Sequence, residues 1–238
     1  EIIGVCDIIE ERAEKAAKRM GADFYCTDYK DILKLEGLDA VDICTPNYWH
    51  SIIAVDALNA GINVFCEKPD AINVEEAEKM KKAAEKSGKT LMVMRNNRFR
   101  DGATYLKNFI DAGKMGEVYA ARCGWQRRRG IPGKGGWFTT KEQSGGGPLI
   151  DIGTHALDLT LWHMDNYDVQ SVKGSVFKKL GKQTRTGNAW GDWDPEKYTA
   201  EDSAFGFVTM KNGATIIIKS SWAINLADYH EACYMICG

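Results

Sequence analysis

Lys68 follows the apolar run 62–66 and is itself followed by Pro69, in the text Val64-Phe65-Cys66-Glu67-Lys68-Pro69. The run reads as a short buried strand ending on an acid, a lysine and a proline, none of which suits a sheet interior. Proline lacks an N–H and fixes φ, so the chain turns there with the lysine held at the strand's C-terminal end. In α/β sheets that end borders the crevice where ligands bind. A solvated surface lysine is the plainer alternative, and position and neighbours favour function over it. The second dense signal is Ser144-Gly145-Gly146-Gly147-Pro148-Leu149-Ile150-Asp151-Ile152-Gly153-Thr154-His155-Ala156-Leu157-Asp158. Asp151, His155 and Asp158 stand at i, i+4 and i+7, one face of a continuous helix. Leu149, Ile152, Leu157, Leu159 and Leu161 wrap much of that helix in apolar residues, so it is expected to be largely buried. Buried ionisable groups need partners or a task, and here a task is favoured. A metal pair would need further ligands, and His163 lies eight residues beyond His155, so no metal site is expected.

Other polar residues fall at strand ends. Asp7 closes the first strand, where an acid can accept hydrogen bonds from the adenosine ribose of a dinucleotide and repel the extra phosphate of NADP. An N-cap for the following helix explains Asp7 equally well. Thr45-Pro46-Asn47 closes the strand 40–44. Proline halts that strand, and Asn47 can cap the helix that carries His50. Arg98 follows the strand 90–94. If the sheet is parallel, Asp7, Thr45, Lys68 and Arg98 share one edge.

The elements that must position these groups alternate. Strand-like runs at 2–6, 40–44, 62–66 and 90–94 are separated by helical patterns at about 10–20, 29–35, 48–60 and 74–86. Gly21 and Gly61 stand where helix C-caps belong, and Asn73 opens the fourth helix as a near capping box. Such alternation with short connections predicts a doubly wound parallel sheet of Rossmann type over 1–98. The glycine-rich fingerprint expected before Asp7 is not in this text. The chain opens on a strand and stops abruptly after Cys237-Gly238, so both ends read as cuts through a larger protein. In the order 3-2-1-4-5-6 the missing first strand is central, which would leave a gap in the sheet. From 99 to 238 the texture is α+β: a helix at 103–112, a strand at 117–126, the helix at 149–163, and strands at 169–178, 203–210 and 214–222. Asn212-Gly213 marks a hairpin, so this sheet is expected to be open and mainly antiparallel. A polar insertion at 181–201 carries Trp190, Trp193 and Tyr198, equally suited to stack on sugar rings or to pack at an oligomer interface.

Composition sets limits. With 44% hydrophobic and 27% charged residues, the chain can build a sizeable core. A net charge of −2 and the lack of a basic stripe argue against nucleic acid. No apolar run approaches the roughly 18 residues that would argue for a membrane span. Seven cysteines contain no C-x-x-C pair, and their apolar neighbours suggest reduced thiols in the cytoplasm.

Taken together, Val5-Cys6-Asp7, Ile43-Cys44-Thr45-Pro46-Asn47, Glu67-Lys68-Pro69, Asn97-Arg98-Phe99 and Gly145-Gly146-Gly147 through His155 resemble the Gfo/Idh/MocA family. The resemblance spans most of the chain in the family's order. It implies a nicotinamide cofactor, which the charge of Asp7 makes NAD in preference to NADP, and a sugar or cyclitol substrate. It also implies a substrate domain whose open sheet builds a homodimer or homotetramer. Lys68, Asp151 and His155 fall on the family's catalytic positions, and Arg98 on one lining the same pocket; Asp7, Thr45, Pro46, Asn47, His50, Glu67, Lys68 and Arg98 would contact the cofactor. The chemistry expected is hydride transfer from a carbinol carbon. Histidine, with an ordinary pKa of about 6.5, suits His155 to take the hydroxyl proton, and Lys68 would stabilise the developing alkoxide. Asp151 would bond a second hydroxyl or orient His155, and Glu67 would support Lys68. The alternatives are glycoside cleavage by transient oxidation on the same scaffold, and a non-catalytic NAD-binding protein.

Overall fold

The computed structural model describes residues 1–133, 136–183, 188–227 and 230–238. Gly135 and part of the 181–201 insertion therefore lie outside the described residues. The chain forms two compact units, Glu1–Thr45 with Trp49–Met94, and Pro46–Tyr48 with Arg95–Gly238. The changeover comes after Met94, a few residues before the expected 98. Arg95 and Arg98 both bond Asp158, which assigns this turn to the second unit.

The first unit runs β1 (Gly4–Cys6), α1 (Glu10–Met20), β2 (Phe24–Cys26), α2 (Tyr29–Ile32), β3 (Ala40–Ile43), α3 (Asn47–Asn59), β4 (Asn63–Cys66), α4 (Val74–Ser87) and β5 (Leu91–Val93). The first two residues of α3 cluster with the second unit. The expected punctuation is present. Gly21 ends α1 at φ 72°, Gly61 stands just past α3 at φ 80°, and the Asn73 side chain accepts from Glu76 N at 2.8 Å. Asp28 caps α2, which stops at Ile32 rather than continuing to 35. Strand β2 was not anticipated; three residues are too short to show a period. All strand pairs are parallel, in two ladders, β1–β2 and β3–β4–β5. The two ladders are not hydrogen-bonded to each other, so the parallel sheet is interrupted, as expected from the sequence. Helices α3 and α4 cover β3–β5 through Ile53, Ala54, Ala57, Leu58, Met80 and Ala83 against Ile43, Val64 and Cys66. Leu58 is fully buried, and burying such a side chain contributes about 1.5–3 kcal/mol.

The second unit continues with α5 (Asp101–Asp111), β6 (Ala120–Gln126), α6 (Lys141–Ser144), a π-helical turn (Leu149–Gly153), α7 (Thr154–Met164), β7 (Val169–Phe177), β8 (Ser203–Met210), β9 (Thr215–Ser221) and β10 (Ala232–Cys237). Its five strands lie in the order β10-β6-β9-β8-β7. Three pairs are antiparallel, while β6 and β9 run parallel, so the sheet is mixed. One face carries Ala121, Cys123, Val208, Met210, Ile216 and Ile218, packed with Ala156, Leu157, Leu161 and Met164 of α7. Alternation turns Phe205, Phe207 and Ile217 to the opposite face, where with Phe177 and Lys173 they line a groove of about 640 Å³. Strand β7 is exposed along its whole length.

One expectation needs correction. Residues 149–163 are not a single α-helix, because a π turn precedes α7. The wider turn breaks the 3.6-residue period between Asp151 and His155, so α-helical spacing no longer relates Asp151 to the other two, while His155 and Asp158 remain one turn apart in α7.

Candidate functional site

In the first unit, the ends of β3 and β4 are tied together. Glu67 N donates to Ile43 O at 2.9 Å, and the buried His50 stands between the two turns. Its Nδ1 lies 2.8 Å from Pro69 O and its Nε2 2.9 Å from Thr45 O. Both partners are carbonyls, so a neutral imidazole donates to one of them at a time and an imidazolium to both. Lys68 N donates to the Glu67 carboxylate at 3.1 Å, and the Lys68–Pro69 peptide is cis. Thr45, His50, Glu67 and Lys68 are thus brought together at one sheet edge. His50 is a structural tie within this group, a role its sequence position did not announce.

Thr45 Oγ1 is buried with no hydrogen-bond partner. A buried hydroxyl in that state costs free energy until a ligand or water satisfies it, and it lies at a strand end suited to a dinucleotide. Asp7 belongs to the separate β1–β2 ladder. Its carboxylate accepts from Ile9 N at 2.8 Å, an Asx turn, whereas α1 begins after Ile9 with no side-chain cap. The N-cap explanation of Asp7 therefore fails in its strict form. The unpartnered Thr45 hydroxyl, at the shared end of β3 and β4, fits a dinucleotide that would supply its missing hydrogen bond.

In the second unit the glycine run is held from beneath. Gly147 N donates to the Glu201 carboxylate at 2.7 Å, and a Cβ on Gly147 would collide with the Glu201 backbone. This close approach explains why that position is glycine. Ser220 Oγ donates to Pro148 O at 2.6 Å. Asp151 is buried, and its Oδ2 accepts from the fully buried Trp222 Nε1 at 2.8 Å. A buried hydrogen bond to a charged group is worth about 1.5–3 kcal/mol. His155, in the first turn of α7, packs against Trp125 with ring centroids 5.7 Å apart. Asn47 Nδ2, counted with this unit, donates to Ser144 O at 2.8 Å.

Asp202, beside Glu201, is fully buried and accepts the amides of Lys179, Leu180 and Gly181 at 2.6, 2.7 and 2.9 Å. It orders the turn after β7. Asp158 points to different work from Asp151. It receives Arg95 Nε at 3.1 Å and both Nε and a terminal nitrogen of Arg98, at 2.8 and 2.5 Å. The hydrogen bond to Asp158 is the main reason the Arg98 guanidinium pKa lies above its ordinary value. Arg98 is thus engaged within the fold.

Glu201, Ser220, Trp222 and Trp125 escaped the sequence reading. Two consecutive acids leading into the apolar strand β8 were the available signal for Glu201 and Asp202. Ser220 and Trp222 gave none.

Residues 1–95 match the family model described as "Oxidoreductase family, NAD-binding Rossmann fold", and residues 103–238 match the "GFO/IDH/MocA C-terminal domain". The chain is similar to the D-glucoside 3-dehydrogenase of Escherichia coli (strain K12), 37% identical over 238 residues, all of this chain and 67% of that protein. It is 33% identical over 221 residues to the levoglucosan dehydrogenase of Pseudarthrobacter phenanthrenivorans, covering 89% of this chain and 56% of the relative. Among solved structures, an oxidoreductase domain protein from Kribbella flavida superposes with a TM-score of 0.84 at 28% identity, over 98% of this chain and 62% of that one. Levoglucosan dehydrogenase in complex with NADH and levoglucosan gives 0.85 at 24% identity, over 99% and 62%, a likeness of fold. The chain thus spans roughly half to two thirds of the length of these relatives.

Proposed function

Because the chain belongs to the Gfo/Idh/MocA oxidoreductase family, we propose that the whole protein is an NAD-dependent dehydrogenase acting on a CH–OH group of a sugar or cyclitol. The observation that carries this reading is the pinned turn that delivers a buried Asp151 and, one turn later, His155. In this reading NAD, when bound, supplies the hydride acceptor. Lys68 hydrogen-bonds the carbinol oxygen and stabilises it as its proton leaves. His155 accepts that proton, and Asp151, fixed by Trp222, bonds a neighbouring hydroxyl or orients the imidazole. Glu67 supports Lys68. Asp7 and Thr45, with the segment Pro46, Asn47 and His50, serve the cofactor, and Arg98 lines the pocket while paired with Asp158.

Dehydrogenases with sugar names among the relatives support the substrate class. No helix among the described residues is long and apolar enough to cross a membrane, and the seven cysteines are placed without disulfides, in keeping with a cytoplasmic enzyme. The uncovered face of the second sheet, with Phe177, Phe207 and Ile217 around 41–45% exposed, supports assembly with further copies of the same chain. Neither nucleic acid nor membrane is a partner in this reading.

A panel of sugars and cyclitols incubated with NAD and the whole protein tests the proposal through NADH absorbance. Lys68→Ala should lower turnover on the best substrate by about a thousandfold, with NAD still binding. Near-normal turnover in that variant would remove Lys68 from the mechanism.

A further inference from the structure

Two buried side-chain atoms among the described residues have no hydrogen-bond partner, Thr45 Oγ1 and Asn97 Oδ1. Both fall just past the C-terminal ends of parallel strands, Thr45 two residues after β3 and Asn97 four after β5, where doubly wound sheets meet their ligands. The dehydrogenase reading uses Thr45 for the cofactor and leaves Asn97 unused. Asn97 is only 7% exposed, and a buried amide oxygen without a donor weakens the fold until a donor reaches it.

Asn97 sits in a 3-10 turn, Asn96–Phe99, that is fastened to α7. Arg95 and Arg98 both donate to Asp158, and the Arg98 guanidinium lies 5.8 Å from the ring centroid of Trp162. Within α7, His155, Asp158 and Trp162 stand at i, i+3 and i+7, so they share one face. The turn is therefore held along the face of α7 that begins with His155. Arg98 directs Nε and a terminal nitrogen to Asp158 and fixes the turn. The acceptor left over is Asn97.

We propose that Asn97 binds the substrate, its amide oxygen accepting from a second hydroxyl of the ring whose first hydroxyl His155 deprotonates. This rests on the dehydrogenase reading, which places the reacting carbon at His155. A hydroxyl has the donor that the oxygen lacks, whereas a carboxylate or a fully ionised phosphate has none. Asn97 thus selects a neutral, hydroxylated position over an acidic one. The nicotinamide carboxamide carries the same kind of donor, but Asn97 belongs to the compact unit of Asp151 and His155, not to that of Thr45 and Lys68.

Calorimetric titration of the NAD-loaded whole protein with D-glucose and its monodeoxy analogues tests this apart from turnover. Asn97→Leu should weaken glucose binding about tenfold and leave NAD affinity unchanged. One deoxy sugar should bind parent and variant alike, because it lacks the hydroxyl that Asn97 meets. Asn97→Ala, which adds no bulk, should repeat that pattern. Without ligands, Asn97→Leu should be no less stable than the parent, since the orphaned oxygen is gone. An equal loss for every deoxy sugar, or a fall in NAD affinity matching that for glucose, overturns the assignment. Lower stability with glucose binding intact makes the amide a packing group and overturns it too. A glucose site that depends on Asn97 in a protein that forms no NADH upholds the assignment and instead defeats the dehydrogenase reading.

Discussion

In the first unit the polar residues at the strand ends are held by main-chain groups close by in sequence. His50 spans Thr45 O and Pro69 O, five and nineteen residues away, and Asp7 takes the amide two residues on. In the second unit the corresponding residues are held by buried side chains from far along the chain. Glu201 is 54 residues from Gly147, Trp222 is 71 from Asp151, and Ser220 is 72 from Pro148. The first arrangement follows from a strand stopping and a helix starting. The second requires the five-stranded sheet to be complete before the turn can be set. Damage to the first should therefore appear as lost cofactor affinity together with local stability. Damage to the second should appear as lost turnover with the cofactor still bound.

The sharpest way to break that contrast is Trp222→Phe. The substitution removes the N–H that meets Asp151 and keeps most of the buried ring. About tenfold lower kcat is expected, from the loss of one hydrogen bond to a buried carboxylate, with NAD affinity unchanged. Steady-state kinetics alongside an NAD titration decide it. If kcat is retained, the long-range support is packing alone; if NAD affinity falls with it, the two units are not separately supported.

His50→Phe is the counterpart in the first unit. It leaves the Thr45 and Pro69 carbonyls without their buried donor, at a cost of about 1–3 kcal/mol in stability. Chemical denaturation should register that loss, and NAD should bind more weakly because Thr45 and Lys68 share the tie. Unchanged stability would mean that other groups serve those carbonyls.

The same difference in holding explains what the sequence revealed. Lys68, Thr45 and Asp7 were legible because a charge or a proline ending an apolar run is a local anomaly. The break in the parallel sheet was legible because the glycine-rich turn expected before Asp7 is not in the sequence, and the Rossmann strand order puts its strand in the middle. Asp151 and His155 stood out beside three glycines, but their geometry did not. The π turn arises where the chain passes Glu201 and Ser220, and helical periodicity carries no trace of either. Trp222 looked like any tryptophan after an apolar strand. Strand β2 was too short to read, and the parallel pairing of β6 with β9 depends on order in space.

The smallest effect concerns a tie at the surface of the first unit. Glu76, in the first turn of α4, accepts from Ser51 at 2.6 Å and from Lys79 at 2.5 Å. The hydrogen bond to Lys79, then that to Ser51, sets its carboxyl below the usual 4.5. A carboxyl lowered in the folded state adds stability above its unfolded value and loses it as pH falls through the folded one. Glu76→Gln should therefore cost about 0.2–1 kcal/mol at neutral pH, the range of an ion pair whose lysine stands in solvent. The gap from the parent protein should close as the pH falls below 4.5. Denaturation curves at pH 7 and at acid pH measure both. A gap that persists in acid would mean the carboxylate's charge contributes nothing, leaving Ser51 and the helix start to account for it. The contrast between the units would then narrow, since even this surface tie would be a matter of shape more than of charge.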